Sequence, residues 1–462
     1  MSNEFWSEII NEGVEDRVEV NQRMLIDKML SRYSSDFVVL RELIQNSDDA
    51  ESTLFILEIF CDLNKTSDLI DEDNTNNSNL FGNIGKLFKN HLISNSENEN
   101  QIENQFNNYD WKRVITIAEG NTNVDAIGQF GVGFFSVFSY SEKPIIQSGK
   151  SCLAFSWQNG KSLTTFRKEL SQDKQTSTTS IILPMKTKFV LQTKLNKKKL
   201  KSKTNRLTNE IIPLLNLNDL KSYFIKVLSF TKYLNKLIIK INNEIIFEIN
   251  KTIELITKNK LSANIQRLNA SDDFQFIHFD SLKQTEQTFT ILNQSSITLN
   301  HIDVIANIHL DKQFQKQMEN VLKKSLPNQI HIQFLFPSNQ NFKNSMLKTL
   351  IPLRFHEKDI LPDGKIFIGL ATNQSTGIGM HLFTHLIPTI ERENIDLQDP
   401  FISIWNEQLL ISIGKIIRFI YDQTIKDFVN QLEIQIIDQI HFILSPYAFI
   451  QSSPNKEIGI SI

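Results

Sequence analysis

The segment RELIQNSDDAE, residues 41 to 51, carries carboxylates and amides at a regular spacing. On an α-helix Glu42, Asn46 and Asp49 stand at i, i+4 and i+7, so their side chains line one narrow stripe. Aligned in this way, two carboxylates and an amide could hold a water molecule, a hydrated Mg²⁺ ion and a hydrogen-bonded base. Mg²⁺ keeps several waters, so one Asn oxygen together with phosphate oxygens suffices as ligands. The alternative is a solvated polar face, which is the better interpretation of this helix taken alone.

A second segment, IGQFGVGFFS at residues 127 to 136, places Gly128, Gly131 and Gly133 just before an expected helix. Glycines permit positive φ and a close approach of backbone to ligand, and a helix N-terminus offers free N–H groups to an anion. Such a glycine pattern is weak evidence by itself. Here it follows the polar helix, with VITIAEGN between them as a short helix ending in a mobile glycine. The two segments together favour a phosphate site.

The elements that must position these segments follow from periodicity. Helical spacing runs through residues 20 to 50, STLFILEIF (52 to 60) predicts a strand, and FFSVFSYS predicts a helix. Strands are expected at PIIQSG, CLAFSW, TSIILPM, IHIQFLFP and KIFIGLA, and a helix at LNDLKSYFIKVLSF. KLIIKINNEIIFEI predicts a hairpin turning at Asn-Asn. Residues 404 to 433 predict a long helical stretch with a break at Gly414.

Two segments interrupt this pattern. Residues 62 to 108 are rich in Asn, Ser, Asp and Glu, which predicts a low-complexity insertion that adds no core. Residues 193 to 206 are basic, and we favour a solvated linker or loop there over a nucleic-acid contact. The resulting division is an N-terminal domain over 1–190, a basic linker or loop over 191–217, and a second α+β domain over 218–462 with a helical C-terminal part. The expected fold class is α+β.

Composition narrows the classes of protein. The 462 residues include 40% hydrophobic and 22% charged residues, which is globular, and 49 Lys+Arg against 52 Asp+Glu give no general attraction to nucleic acid or anionic membrane. The two cysteines, Cys61 and Cys152, suggest neither a disulfide framework nor a cysteine zinc site. The nine histidines show no zinc-ligand spacing. With no secretory leader or apolar span in the sequence, we expect a cytoplasmic protein, with the nucleus open as an alternative.

The two segments resemble motifs of the Bergerat-fold (GHKL) ATPases, which include gyrase, the histidine kinases and the ninety-kilodalton heat-shock chaperones. ELIQNSDDA resembles the N-box and IGQFGVGFFS the glycine box, in the family's order. VITIAEGNTN and TTSIILPM resemble the chaperone branch's lid segment and closing threonine strand. Most of the chain resembles sacsin-like proteins of fungi and protists. The segments that carry this resemblance are VNQRMLIDKMLSRYSSDF, DWKRVITIAEGN, IFIGLATNQSTG and PTIERENIDL. The resemblance implies an N-terminal two-layer α/β sandwich that binds ATP and Mg²⁺.

The resemblance also implies roles for particular residues. Glu42 would be the general base that orients the attacking water, Asn46 the Mg²⁺ ligand, and Asp49 a support of the nucleotide pocket. Backbone N–H groups of Gly131, Val132, Gly133 and Phe134 would bind phosphates, and Thr179 would lie near the adenine and its bound water.

Three features depart from the family pattern. The insertion occupies the region of the adenine-reading motif, for which Asn83 and Gly85 are the candidates. Glu119 stands where the chaperones have a lid lysine. The TTS at 178 to 180 lacks the glycine that usually precedes the threonine.

The second half offers one further candidate. By analogy with relatives whose following domain reaches the nucleotide, Gln374 or Arg392 could sense the terminal phosphate. We favour a structural interpretation, with Thr376 and Gly377 forming a turn and Arg392 joining a surface ion cluster.

The function that follows is a slowly hydrolysing, chaperone-like ATPase in which ATP closes a lid. A non-catalytic sacsin-like scaffold is the main alternative, and a chromatin or DNA-repair ATPase is the third. The partners expected are a nucleotide, protein clients and a second copy of the chain, with no membrane and no nucleic acid.

Overall fold

The computed structural model describes residues 11, 20–31, 37–62, 81–93, 105–116, 133–185, 189–192, 202–204, 211–256, 265, 268–269, 276–337, 346–356, 359–389, 394–429 and 454–461. The fold class is α+β, as the sequence predicts. The helices are α1 Gln22–Leu30, α2 Val38–Asp49, α3 Asn108–Val114, α4 Leu217–Val227, α5 Lys312–Leu322, α6 Pro400–Val429 and α7 Asn455–Ser461. Short 3₁₀ helices are η1 Gly133–Ser139, η2 Gln172–Lys174 and η3 Leu347–Leu350.

The strands are β1 Leu54–Asp62, β2 Phe81–Ile93, β3 Ile145–Ser148, β4 Ser151–Gln158, β5 Ser162–Glu169, β6 Thr179–Leu183, β7 Phe189–Gln192, β8 Ser202–Thr204, β9 Ile211–Asn216, β10 Lys236–Ile241, β11 Glu244–Leu255, β12 Ile277–Ile291, β13 Ser295–Ile308, β14 Gln329–Pro337, β15 Leu353–His356, β16 Asp359–Pro362, β17 Lys365–Ile368, β18 Leu370–Ser375 and β19 His381–Phe383.

One long sheet joins most of these strands. In the N-terminal half the order is β5-β4-β3-β6-β2-β1, with every pair antiparallel. β1 then pairs in parallel with β10, in a register that places Leu57 opposite Ile239. From β10 the sheet continues antiparallel through β11, β12, β13 and β14 to β19, which pairs in parallel with β17. The β1–β10 pair therefore connects the two halves of the chain.

Two hydrophobic cores lie on this sheet. The first surrounds α2, α4, β1 and β10, and includes the fully buried side chains of Ile44, Phe55 and Phe224. The second surrounds β12 to β14 and α6, and includes Phe334 and Trp405. α4 and β10 follow the basic segment in the sequence but pack in the first core.

The β10–β11 hairpin turns where the sequence predicts. Asn242 and Asn243 have φ of 48° and 72°, a pair of positive values that suits the twist of the flanking strands. Asparagine tolerates this left-handed backbone better than most residues, because its short polar side chain bonds locally. The prediction of a hairpin with an Asn-Asn turn is confirmed.

Other predictions from the sequence need correction. The polar segment 62–108 is not wholly an insertion, because β2 lies within it and pairs with both β1 and β6. The long C-terminal helix does not break at Gly414, since α6 is continuous across it. The predicted helix after the glycine segment is present, as the 3₁₀ helix η1. In the basic segment, Ser202–Thr204 forms a strand paired with β9.

Within the described residues, the helices include none with the length and apolarity to cross a membrane.

Candidate functional site

The polar helix α2 is enclosed on nearly every side. Ten of its twelve residues are buried: Val38, Val39, Leu40, Arg41, Glu42, Leu43, Ile44, Gln45, Ser47 and Asp48. Asn46 and Asp49 are half-buried. A solvated polar face would leave its charged side chains in water, so that interpretation of the stripe is wrong for Glu42, which is 2% exposed. Buried charged groups need partners.

The two carboxylate oxygens of Glu42 face different neighbours. Oε1 lies 3.5 Å from the Arg41 guanidinium in an ion pair that is shielded from solvent. Oε2 lies against the backbone of Gly133, where a Cβ atom would collide with it and would come within 3.0 Å of the Glu42 Cδ. Only a residue without a side chain leaves Glu42 in this position. The acidic helix and the end of the glycine segment therefore meet in the folded chain, although about 90 residues separate them.

The 3₁₀ helix η1 fixes Gly133 by packing its aromatic side chains into the first core. Phe135 and Phe138 are buried and stack with ring centroids 6.3 Å apart. Phe134 lies 5.4 Å from the Phe155 ring on β4. These contacts hold the start of η1 against α2. Gly128, Gly131, Val132 and Glu119 lie outside the described residues.

Tyr223 of α4 lies close to the same carboxylate, and no motif or spacing in the sequence points to it. Its ring stacks on Phe37 with centroids 5.0 Å apart. Burial raises the pKa of the Tyr223 hydroxyl, the Arg41 charge opposes the rise, and the Glu42 charge adds to it. The hydroxyl is therefore protonated at neutral pH and can only act as a neutral donor or acceptor beside the Arg41–Glu42 pair.

Asp48 anchors a distant segment of the chain. The sequence pattern did not distinguish this role from the roles of the neighbouring acidic residues. Its carboxylate accepts hydrogen bonds of 2.8 to 2.9 Å from the backbone N–H groups of Lys232, Tyr233 and Leu234. The connection between α4 and β10 is thus tied to the C-terminal end of α2. The buried Lys251 ammonium donates to Thr231 in the same connection. Burial lowers the pKa of Lys251 to about 8, while the Asp48 charge raises it.

The other candidate residues are spread over the sheet. The buried Thr179 hydroxyl shares a 2.7 Å hydrogen bond with Ser148 on the neighbouring strand. Asn83 is on β2, where its backbone pairs with Val190 and Asp62.

Gln374 makes its contacts within the C-terminal half. Its Oε1 accepts a 2.7 Å bond from the Ile395 N–H, and its own N–H donates to Thr372. Gly377 has a φ of +73°, which fits the predicted turn. Arg392 lies outside the described residues. The geometry thus favours a structural task for Gln374 over contact with a ligand held by α2.

A large cleft opens at the C-terminal end of α2. It has a volume of about 1000 Å³, and Asp48, Asp49 and Glu51 form part of its wall. The remaining walls come mainly from the second half of the chain and include Asp303 and His331, which are hydrogen-bonded at 2.9 Å. Glu42 and Asn46 do not line this cleft. Asp49 therefore belongs to a different surface from the Glu42–Gly133 contact.

The residues on α2 suit a hydrated Mg²⁺ ion but not a metal held by protein alone. No group of three or more His, Cys, Asp or Glu side chains in the described part of the chain is arranged to hold a metal ion. An Mg²⁺ ion that takes most of its ligands from water and phosphate needs only one protein oxygen. The half-buried Asn46, one helical turn from Glu42, can supply that oxygen.

Two family models match the chain. One, described as "Sacsin domain", matches residues 20–259. The other, described as "Protein of unknown function (DUF3684)", matches residues 157–462. The first covers α2, Gly133 and the β1–β10 pair, and the second covers the C-terminal core. No curated protein matches the chain.

Solved structures also match. One is the ATPase and transducer domains of DNA topoisomerase II from Balamuthia mandrillaris, with 10% sequence identity and a TM-score of 0.24. The match covers 55% of this chain and 55% of that one, so the chain spans about half the length of this structure. Similarity at this level carries no argument about activity.

Proposed function

The chain belongs to the sacsin-domain and DUF3684 families, and from this premise we propose that α2 and the glycine segment bind Mg·ATP and hydrolyse it slowly. The observation that carries the proposal is the contact between the Glu42 carboxylate and Gly133. It joins a potential proton acceptor to the segment whose backbone would receive phosphates. The resemblance to Bergerat-fold ATPases gives both segments these tasks.

Glu42 is the residue we assign as general base. The Arg41 guanidinium lies 3.5 Å from Oε1, and we assign Oε2, on the side of Gly133, to orient a water molecule and accept its proton. A carboxylate enclosed on a rigid helix keeps its orientation without reorganising during the reaction. Tyr223, whose ring stacks on Phe37, lies close enough to the pair for both charges to act on its hydroxyl.

Asn46 is the residue we assign to the metal. One turn beyond Glu42, its side-chain oxygen would replace one water of a hydrated Mg²⁺ ion. The bound ion supplies charge stabilisation for the phosphates. Backbone N–H groups of Gly131, Val132, Gly133 and Phe134 would bind the phosphate oxygens, with Gly128 permitting the turn before them. Thr179 and Asn83 are further proposed contacts of the nucleotide, whereas Gln374 is hydrogen-bonded within the C-terminal half and Asp49 lines the separate cleft.

A non-catalytic scaffold is the second candidate, and the buried Arg41–Glu42 pair favours it. Removing one partner of a buried ion pair destabilises a protein strongly, so both residues could be retained for folding alone. In that case Glu42 would be structural and the chain would act through its surfaces on protein partners or a second copy of itself.

Titration of the purified chain with ATP separates the two candidates. The ATPase proposal predicts saturable binding that requires Mg²⁺, followed by release of phosphate at a slow but measurable rate. Calorimetry measures the first and a coupled phosphate assay the second. Absence of binding in the presence of Mg²⁺ would favour the scaffold.

A further inference from the structure

Three lysine side chains converge on a pocket away from α2. Lys226 at the end of α4, Lys348 on η3 and Lys365 at the start of β17 line a space of about 400 Å³. Neither Glu42 nor Asn46 lines it. The pocket therefore has a chemistry independent of the nucleotide site proposed above.

The lining carries an excess of positive charge. Asp363 is the carboxylate of the lining, and it lies 3.3 Å from the Lys365 ammonium. Partial burial lowers the pKa of Lys226, and the nearby Lys365 charge lowers it further, while Asp363 opposes both. Repulsion between two ammonium groups is relieved when an anion lies between them. Three lysines and one carboxylate give the lining a formal net charge of +2, because 3 − 1 = 2. An anion with two negative charges would balance it.

A buried histidine holds two walls of the pocket together. His381 Nδ1 accepts a 2.9 Å bond from the Lys365 backbone N–H, and Nε2 donates to the Leu350 carbonyl at 3.2 Å. Burial lowers the pKa of His381 to about 4, so the ring is neutral and adds no charge. These bonds fix β17 relative to η3, and with them the positions of Lys365 and Lys348. The two hydrogen bonds of His381 therefore hold the walls of the pocket in a defined position.

A polar group in the wall lacks a partner. Ser229 lines the pocket, is 1% exposed, and its Oγ makes no hydrogen bond to any described residue. A buried hydroxyl without a partner costs free energy, and a ligand oxygen at this wall would remove that cost. The Thr349 side chain lines the pocket as well. Phe367, Ala371 and Ile351 supply an apolar part of the lining.

We propose that this pocket binds a small soluble phosphomonoester, with the phosphate among Lys226, Lys348 and Lys365 and its organic group against Phe367 and Ala371. Ammonium groups and a hydroxyl donate to phosphate oxygens, and charge-assisted bonds of this kind are strong. Asp363 limits the charge excess and accepts from a hydroxyl group of the ligand. The volume of about 400 Å³ is in the range of small-molecule sites.

Calorimetric titration of the full-length chain with inorganic phosphate and with glycerol 3-phosphate tests the proposal. Wild type is expected to bind both, the second more tightly. Lys348→Gln and Lys365→Gln are each expected to weaken binding at least tenfold, whereas Lys168→Gln on the exposed face of β5 keeps wild-type affinity.

Ser229→Ala tests whether the Ser229 hydroxyl contacts the ligand or has only a structural role. It is expected to weaken phosphate binding without lowering the melting temperature of the free protein, because its hydroxyl has no partner to lose among the described residues. Absence of phosphate binding by wild type would overturn the proposal. So would unchanged affinity in both lysine variants. Co-sedimentation with phosphatidic acid vesicles by a chain that binds neither soluble ligand would assign the lysines to a lipid surface and overturn it too.

Discussion

Asn46 and Asp48 stand two residues apart on α2 but have different surroundings. Asn46 is half-buried, while Asp48 is 4% exposed and accepts three backbone hydrogen bonds. The sequence predicted the helix and the stripe containing Asn46. It could not predict the anchoring task of Asp48, because the connection it holds lies more than 180 residues further along the chain.

This difference predicts opposite effects of two substitutions. Asn46→Ala is expected to weaken Mg·ATP binding more than tenfold with little change in the melting temperature of the nucleotide-free chain. Asp48→Ala removes charge-assisted bonds to three backbone donors, one of them buried, and is expected to cost about 2–4 kcal/mol of unfolding free energy. Calorimetry and urea unfolding measure the two quantities. Equal ATP affinity in wild type and Asn46→Ala would remove the metal from this residue.

His381 predicts a pH dependence of stability. Its pKa is lowered from 6.5 to about 4 by burial, so between these values the unfolded chain binds more protons than the folded chain. The stabilising contribution is therefore complete above pH 6.5 and is lost as the pH falls toward 4. A shift of this size corresponds to about 3 kcal/mol.

Urea unfolding from pH 7 to pH 4 measures this effect. His301, whose pKa burial also lowers, contributes with the same sign, so the comparison with a His381→Asn variant isolates the share of His381. The variant is expected to be less stable at pH 7 and to have a flatter pH profile. Parallel profiles for the variant and wild type would show that His381 is not responsible.

At the scale of elements, the contact between α2 and η1 is the feature that could not be predicted from the sequence. Each segment was predicted, but not that Glu42 would lie against Gly133, because this depends on how Phe135 and Phe138 pack in the first core. Similarly, no local pattern showed that part of the polar segment 62–108 would form β2, whose pairing is decided by β1 and β6. Tertiary context overrode composition there.

The α2–η1 contact predicts a coupling between two positions. Gly133→Ala places a Cβ on the Glu42 carboxylate and is expected to destabilise the chain by about 1–3 kcal/mol, the usual cost of overpacking. In a Glu42→Ala background the same substitution is expected to cost much less, because the colliding atoms are gone. A double-mutant cycle by urea unfolding measures the coupling. Additive effects of the two substitutions would contradict the contact.

At the scale of the whole molecule, the first core extends past the expected end of the N-terminal domain at residue 190. Phe224 of α4 and Leu237 of β10 are fully buried in it, and β10 is the parallel partner of β1. The periodicity of these elements was predicted correctly, but periodicity does not tell which core an element joins. The division into domains at 191–217 stays a proposal.

Two fragments test how the core is assembled. Residues 1–190 leave β1 with an open edge and the core without α4, so this fragment is expected to aggregate or unfold without cooperativity. Residues 1–259, which restore β10 and α4, are expected to show a cooperative thermal transition by circular dichroism. A cooperative transition of the 1–190 fragment at the temperature of the full chain would show that its core is complete without them.

The central claim is that Glu42 accepts a proton from water during ATP hydrolysis, and Glu42→Gln measures it most directly. Glutamine keeps the size of the side chain but cannot act as the base. Phosphate release is therefore expected to fall roughly 10²- to 10⁴-fold while Mg·ATP still binds. Glu142→Gln is the control, since Glu142 also pairs with an arginine, Arg23, but at a partly exposed site, and it should hydrolyse ATP like wild type. A Glu42→Gln chain as active as wild type, or a wild type that releases no phosphate, would contradict the account.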